Sequence, residues 1–220
     1  VKRRATTLPP RARGGKKRRG LFVVLEGLDG AGTTTQAAAL ERALRARGQR
    51  VQVTAEPSPG PIGVLLRQAL TGRLTGLGQP IDQVTLALLF SADRADHTHQ
   101  EILPALSAGV TVICDRYVLS SLAYQGLDLP LEEVAAINAH APAPDLTLFL
   151  DVPPKVAEAR RQASRGHAER FERLDLQKRI DRNYRRALAH GLHGGALAMI
   201  DGTLPPEQVT TALLQALDAL

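Results

Sequence analysis

Residues 21–48 impose the tightest constraint on what this chain can become. LFVVLEG (21–27) is a short, β-branched apolar run that ends in glycine, and TTTQAAALERALRARG (33–48) follows it with helical spacing and a terminal glycine. A strand without polar alternation is buried on both faces, as in parallel sheets. The rest of the chain repeats the strand–helix alternation. Strands are expected at 50–57, 110–115, 145–152 and 196–202. Helices are expected at 61–72, 81–109 (one long helix or a broken pair), 116–126, 129–141, 153–163, 171–191 and 205–217. Alternation of this kind predicts an α/β fold with a five-stranded parallel sheet covered by helices on both faces. No internal repeat is visible.

Composition narrows the class. A chain of 220 residues can bury one sizeable core without covalent staples. Cys114 is the only cysteine, so no intrachain disulfide forms, and a reducing, cytoplasmic setting is the simplest expectation. No apolar run approaches the roughly 18 residues of a membrane span, and no apolar signal core follows the basic start. The formal net charge of +6 is unevenly placed. Nine of the 28 Lys and Arg fall in residues 1–20, which hold no acid, leaving 19 against 22 Asp and Glu in the remainder. Residues 1–20 therefore read as a disordered basic tail, either a weak polyanion tether or a solvated extension. Residues 21–220 read as a single, mildly acidic domain with no signature of specific nucleic-acid binding.

The turn after the first strand has the chemistry of a phosphate loop. Gly27, Gly30 and Gly32 permit a tight turn with inward-facing N–H groups, Leu28, Asp29 and Ala31 fill the positions between, and the helix starting near Thr33 adds its positive end. Gly27 and Gly32 have the offset of the G-x-x-x-x-G-K-[ST] pattern, and Thr34, followed by Thr35, stands where a magnesium-binding hydroxyl belongs. The lysine position is Thr33. The loop alone fits a working polyphosphate cradle and a turn whose phosphate function has decayed equally well.

Three segments together carry a family resemblance: EGLDGAG (26–32), LLFSADR (88–94) and CDRYVLSSLAYQG (114–126). With these the chain resembles the thymidylate kinases over residues 21 to about 215. The resemblance implies a P-loop kinase fold, ATP as donor, dTMP as acceptor, Mg2+ as cofactor and a homodimer packed through the long helices. The residues agree with it from below. Ligands of open parallel sheets bind beyond the strands' carboxyl ends, where Asp29, Glu56, Asp115 and Arg116 are expected. Arg67 and Arg116 offer forked donors to phosphate oxygens. Phe90 can stack on a base, with Arg94 one helical turn later.

The resemblance further implies that Phe90 stacks on thymine and that Arg94 and Gln125 read the base edge. It places Ser121 beside the base and Tyr124 against the deoxyribose, disfavouring a 2′-hydroxyl. Asp29 would act beside the reacting phosphates, Thr34 and Asp115 would hold the metal, and Glu56 would position magnesium, water or arginines. Each has a plainer alternative: Phe90 as core, Asp93 and Arg94 as a solvated pair, Tyr124 as a half-buried helix residue, Arg67 as a surface charge. In the Arg-rich segment 160–172 the resemblance implies a lid over ATP, with Arg160 at the adenine and Glu172 near the acceptor, against a solvated charge run as the alternative. Arg165 is the expected substitute for the cation missing at Thr33. Two departures stand out: Ala55 occupies a position where the family usually has Arg, and SPGPIG replaces a Gly-Gly. The competing readings are a nucleotide kinase with another acceptor and a catalytically weak nucleotide-binding homologue. His97 and His99, two apart, would point to different helix faces and read as surface residues; Cys114 reads as core. Asp201-Gly202 either borders the adenine or is a strand-end turn.

Overall fold

The computed structural model describes residues 19–165 and 170–220, without the side chains of 164, 165 and 170–173. Five strands make one sheet: β1 (Phe22–Gly27), β2 (Val51–Ala55), β3 (Thr111–Asp115), β4 (Leu146–Asp151) and β5 (Ala196–Asp201). Their order is β2-β3-β1-β4-β5, and every pairing is parallel. The register sets Leu25 opposite Asp115 and Gly27 opposite Leu150. Parallel strands bring their carboxyl ends to one edge, so the chain leaving β1, β2 and β3 converges on a single crevice beside the central strand.

The helices are α1 (Thr33–Ala46), α2 (Pro61–Leu70), α3 (Gln83–His97), α4 (Leu103–Ser107), α5 (Val118–Tyr124), α6 (Leu131–Ile137), α7 (Pro154–Arg165), α8 (Arg170–Ala189) and α9 (Pro206–Asp218). Asp82 starts α3 by accepting the amide of Thr85 at 2.9 Å, a side-chain cap for one of the helix's unpaired donors. The helical stretch expected at 81–109 runs without a break from Gln83 to Ser107, α3 passing into α4 through one wide π turn at Thr98–Ile102. Pro104, which has no N–H to return to the preceding turn, sits just beyond it.

All six residues of β1 are buried, and its side chains alternate between two apolar clusters. Val23 and Leu25 pack with Leu40 and Leu44 of α1 and Leu213 of α9; Phe22 and Val24 pack with Ile102 and Leu106. Glu26 continues the second series and is fully buried. Truncating Leu25 to Ala would cost about 2–5 kcal/mol, which is enough to loosen the strand that carries the site. Of the tail expected to be disordered at residues 1–20, residues 1–18 lie outside the described residues, and Gly20 donates its amide to Leu106 O at 2.8 Å. Arg19, where the description begins, pairs with Asp145 at 2.5 Å. No helix among the described residues is long and apolar enough to cross a membrane.

Candidate active site

Beyond Gly27 the chain turns through Gly30 and Gly32, both left-handed at φ 90° and 98°, into the first turn of α1. A Cβ on Gly30 would lie 2.2 Å from the carbonyl oxygen of Ala157, so α7 rests directly on the loop there and glycine is required. The loop's N–H groups and the positive end of α1 face a cavity of about 510 Å³. Thr33, Thr34, Thr35 and Asp29 line it together with Arg116, Arg160 and Arg161. No acid stands in the first turn of α1 to oppose an anion.

At the cavity's edge Thr34 donates its hydroxyl to Asp115 Oδ2 at 2.5 Å. The other carboxylate oxygen, Oδ1, is buried and has no hydrogen-bond partner among the described residues. A hydroxyl and a carboxylate with one oxygen still unengaged are hard oxygen donors of the kind Mg2+ takes, so Thr34 and Asp115 fit that ion.

A second cavity of about 260 Å³ opens beside the first. Its lining includes Asp29, Glu56, Phe90, Arg94, Arg116, Ser121, Tyr124 and Gln125. Asp29 and Arg116 therefore border both cavities, joined by an ion pair of 2.6 Å. Arg116 is itself in the left-handed region at φ 73°, uncommon for a residue with a side chain, and its guanidinium lies 5.4 Å from the ring centre of Tyr124. One cavity suits a polyphosphate, the other a flat base with a polar edge, and a cation stands between them.

Residues 25–213 match the family described as "Thymidylate kinase". A "Probable thymidylate kinase" of Pyrococcus abyssi is 46% identical over 168 residues, 76% of this chain and 82% of that protein. A "Thymidylate kinase" of Thermomicrobium roseum is 40% identical over 199 residues, 87% of this chain and 91% of that protein. This chain belongs to the thymidylate kinase family. With the family comes its reaction class, phosphoryl transfer to a nucleoside monophosphate.

Most residues that the family resemblance singled out share one crevice, and the structure shows how each is held. Arg94, 2% exposed, is no solvated surface charge. Its Nε donates to Glu56 at 2.8 Å, its Nη2 to Tyr117 O and Ser121 Oγ at 3.1 and 3.0 Å, and its Nη1 to Asn138 Oδ1. Four of its five N–H donors are thus engaged among the described residues, and the fixed guanidinium forms part of the cleft wall. Asp93 is equally buried and accepts both the amide and the hydroxyl of Ser58, at 2.7 and 2.5 Å, tying the loop after β2 to α3. Gln125 Oε1 is buried, with no hydrogen-bond partner among the described residues. Burial pushes the Tyr124 phenol well above its ordinary range, so it stays neutral.

Arg67 stands apart from the base cleft. It donates to the carbonyls of Pro57 and Ser58 and lines a neighbouring groove with Thr34 and Asp115. Arg160 lies at the far end of the loop cavity and donates to Gly202 O at 2.7 Å, which puts the turn at Asp201-Gly202 beside it. The side chains of Arg165 and Glu172 lie outside the described residues. His97 corrects the sequence expectation: it is buried, within hydrogen-bonding distance of Thr54 and Glu56, whereas His99 is exposed. Cys114 is buried, and burial raises its thiol well above its ordinary pKa. Sequence reading missed Glu26, Asn138 and Tyr184. Only Glu26 left a signal, a carboxylate inside a strand otherwise apolar.

Proposed function

We propose that this chain transfers the γ-phosphoryl group of ATP to dTMP, giving ADP and dTDP. The observation that carries the reading is the junction at Asp29 and Arg116, where a phosphate cradle and a base-sized cleft meet end to end. In this reading ATP lays its phosphates along the loop amides with its adenine near Arg160, and dTMP enters the cleft with its base against Phe90. Gln125 Oε1 accepts from the base edge, beside the Arg94 guanidinium, and Tyr124 stands by the sugar. An oxygen of the dTMP phosphate attacks the γ-phosphorus, and the bond to the β-phosphate oxygen breaks. Arg116 neutralises the acceptor phosphate, and Asp29 orients Arg116. The protein thus contributes mainly alignment and charge. Mg2+ held through Thr34 and Asp115 would offset negative charge on the donor phosphates.

The position of the absent loop lysine is taken by Thr33, so the missing cation must come from elsewhere, and Arg165, on the helix that rests on the loop, is the candidate. The exposed Val64, Leu65, Val84 and Leu88 of α2 and α3 suit a homodimer interface. A cytoplasmic location agrees with the single buried thiol.

The test is an ADP-release assay over a panel of nucleoside monophosphates, with and without magnesium. Turnover with dTMP well above the other monophosphates is expected. Turnover with a different monophosphate alone, or nucleotide binding without any turnover, would contradict the proposal.

A further inference from the structure

The catalytic crevice rests on a buried carboxylate that the phosphoryl-transfer chemistry does not itself use. Glu26 Oε1 accepts the amides of Tyr117 at 2.8 Å and Ser120 at 3.1 Å. Its Oε2 accepts the Ser120 hydroxyl at 2.7 Å and lies 3.1 Å from the Tyr184 hydroxyl. Tyr117 is the residue before α5, and its own side chain makes no cap. The two amides that Glu26 takes are those a capping box satisfies from within a helix, and here one carboxylate from β1 satisfies both.

The residue held by this arrangement is Arg116. Its amide donates to Leu25 O at 2.9 Å, so residues 116, 117 and 120 are all fastened to Leu25 and Glu26 at the end of β1. Within that fastening Arg116 keeps a left-handed backbone, and its guanidinium reaches Gly27 O, Asp29 and the Tyr124 ring. Tyr184 adds a third element. It rises from α8, the helix that follows the Arg-rich segment, and is fully buried. Its hydroxyl touches Glu26, Gly27 O and Ser120 Oγ at 3.1, 3.2 and 2.9 Å, with Arg116 Nη1 at 3.5 Å. One hydroxyl thus meets the root of the phosphate loop, the start of the acceptor helix and the helix beyond the lid region.

We propose that Glu26 and Tyr184 are positioning residues for the reaction, holding Arg116 at the boundary between the two nucleotides and coupling its position to α8. This rests on the reading of that boundary as the place where ATP and dTMP meet. Four donor groups surround this carboxylate: the amides of Tyr117 and Ser120 and the hydroxyls of Ser120 and Tyr184. Burial raises the Glu26 pKa, while the bonds from Ser120 and Tyr117 and the Arg116 charge pull it back.

The test uses Tyr184→Phe and Glu26→Gln in the full chain, with kcat, KM for each nucleotide and Tm measured. Phenylalanine keeps the ring packing and removes only the hydroxyl. Glutamine keeps one oxygen for the two amides and removes the charge. Tyr184→Phe is expected to lower kcat/KM for dTMP about tenfold, and Glu26→Gln about thirtyfold, with KM for ATP changed less than about twofold. A structural role alone would lower Tm and affect both nucleotides alike well below the melting temperature. That pattern, or two folded variants with wild-type dTMP kinetics, would overturn the proposal. If wild type shows no dTMP turnover, the functional reading fails instead, so the two failures are distinguishable.

Discussion

The two cavities that meet at Asp29 and Arg116 are built from different materials. The base-sized cleft is lined by side chains already fixed by others, Arg94 by Glu56, Ser121 and Asn138 and Arg116 by Asp29, while Asp93 holds Ser58 in the loop after β2. The phosphate cavity is lined by loop glycines, three threonines, the shared Asp29 and Arg116, and two arginines from α7. In the proposed reading, the acceptor side would carry its selectivity in this hydrogen-bonded framework. The arginines that line the phosphate cavity among the described residues are Arg160 and Arg161 of α7, the helix packed onto the loop at Gly30, and Arg116; none lies within the loop itself. Preorganised side chains lose little entropy when a ligand arrives, whereas a cation contributed from a neighbouring element ties catalysis to that element's position.

Removing the shared cation should have the largest effect. Arg116→Met is expected to lower kcat/KM for dTMP by about a thousandfold, roughly 4 kcal/mol of barrier, by losing the charge that neutralises the acceptor phosphate. Steady-state kinetics with each substrate varied would show it, and a loss of less than tenfold would remove Arg116 from the junction's chemistry.

Next is the acceptor framework. Arg94→Met strands the buried Glu56 carboxylate, for a stability loss of about 3–5 kcal/mol alongside weaker dTMP binding. Urea unfolding and dTMP titration read the two effects separately. An unchanged midpoint would mean that the Arg94–Glu56 pair does not hold the cleft together.

The donor side should respond more modestly and be repairable. Arg165→Ala is expected to reduce kcat about tenfold, and adding Thr33→Lys to that variant should recover most of the loss, because either cation serves the same phosphates. A change in kcat of less than about threefold for Arg165→Ala would assign the substitute cation to another residue.

Much of this contrast was legible in the chain, and the illegible part has a common cause. The glycine loop at 27–32 and the run at 114–126 are contiguous, so spacing alone exposes them. The supporting bonds cross long stretches of sequence: Ser58 to Asp93 over 35 residues, Arg94 to Asn138 over 44, Glu26 to Tyr184 over 158. No local pattern encodes such pairs. His97 shows a smaller failure of the same kind. Its spacing from His99 correctly separates the two faces, but which face is buried depends on Glu56 and Thr54, contributed by β2 and the turn that follows it.

The smallest effect is one of pH. The folded state raises the Glu26 pKa above its ordinary 4.5, chiefly through burial. The folded protein then binds this proton more tightly than the unfolded chain does. The resulting stabilisation is complete below about pH 4.5 and is lost as pH rises through the raised value. Comparing urea midpoints of wild type and Glu26→Gln across that window should give a difference that varies with pH; a constant difference would mean that burial does not shift this carboxyl.

The contiguity of the two sites is tested most directly by a bisubstrate ligand, adenosine and thymidine joined through a chain of phosphates. Calorimetry and inhibition kinetics should find it binding at least about a hundredfold more tightly than either nucleotide, and competing with both. Binding no tighter than ATP alone, or competition with only one nucleotide, would contradict two cavities joined at Asp29 and Arg116.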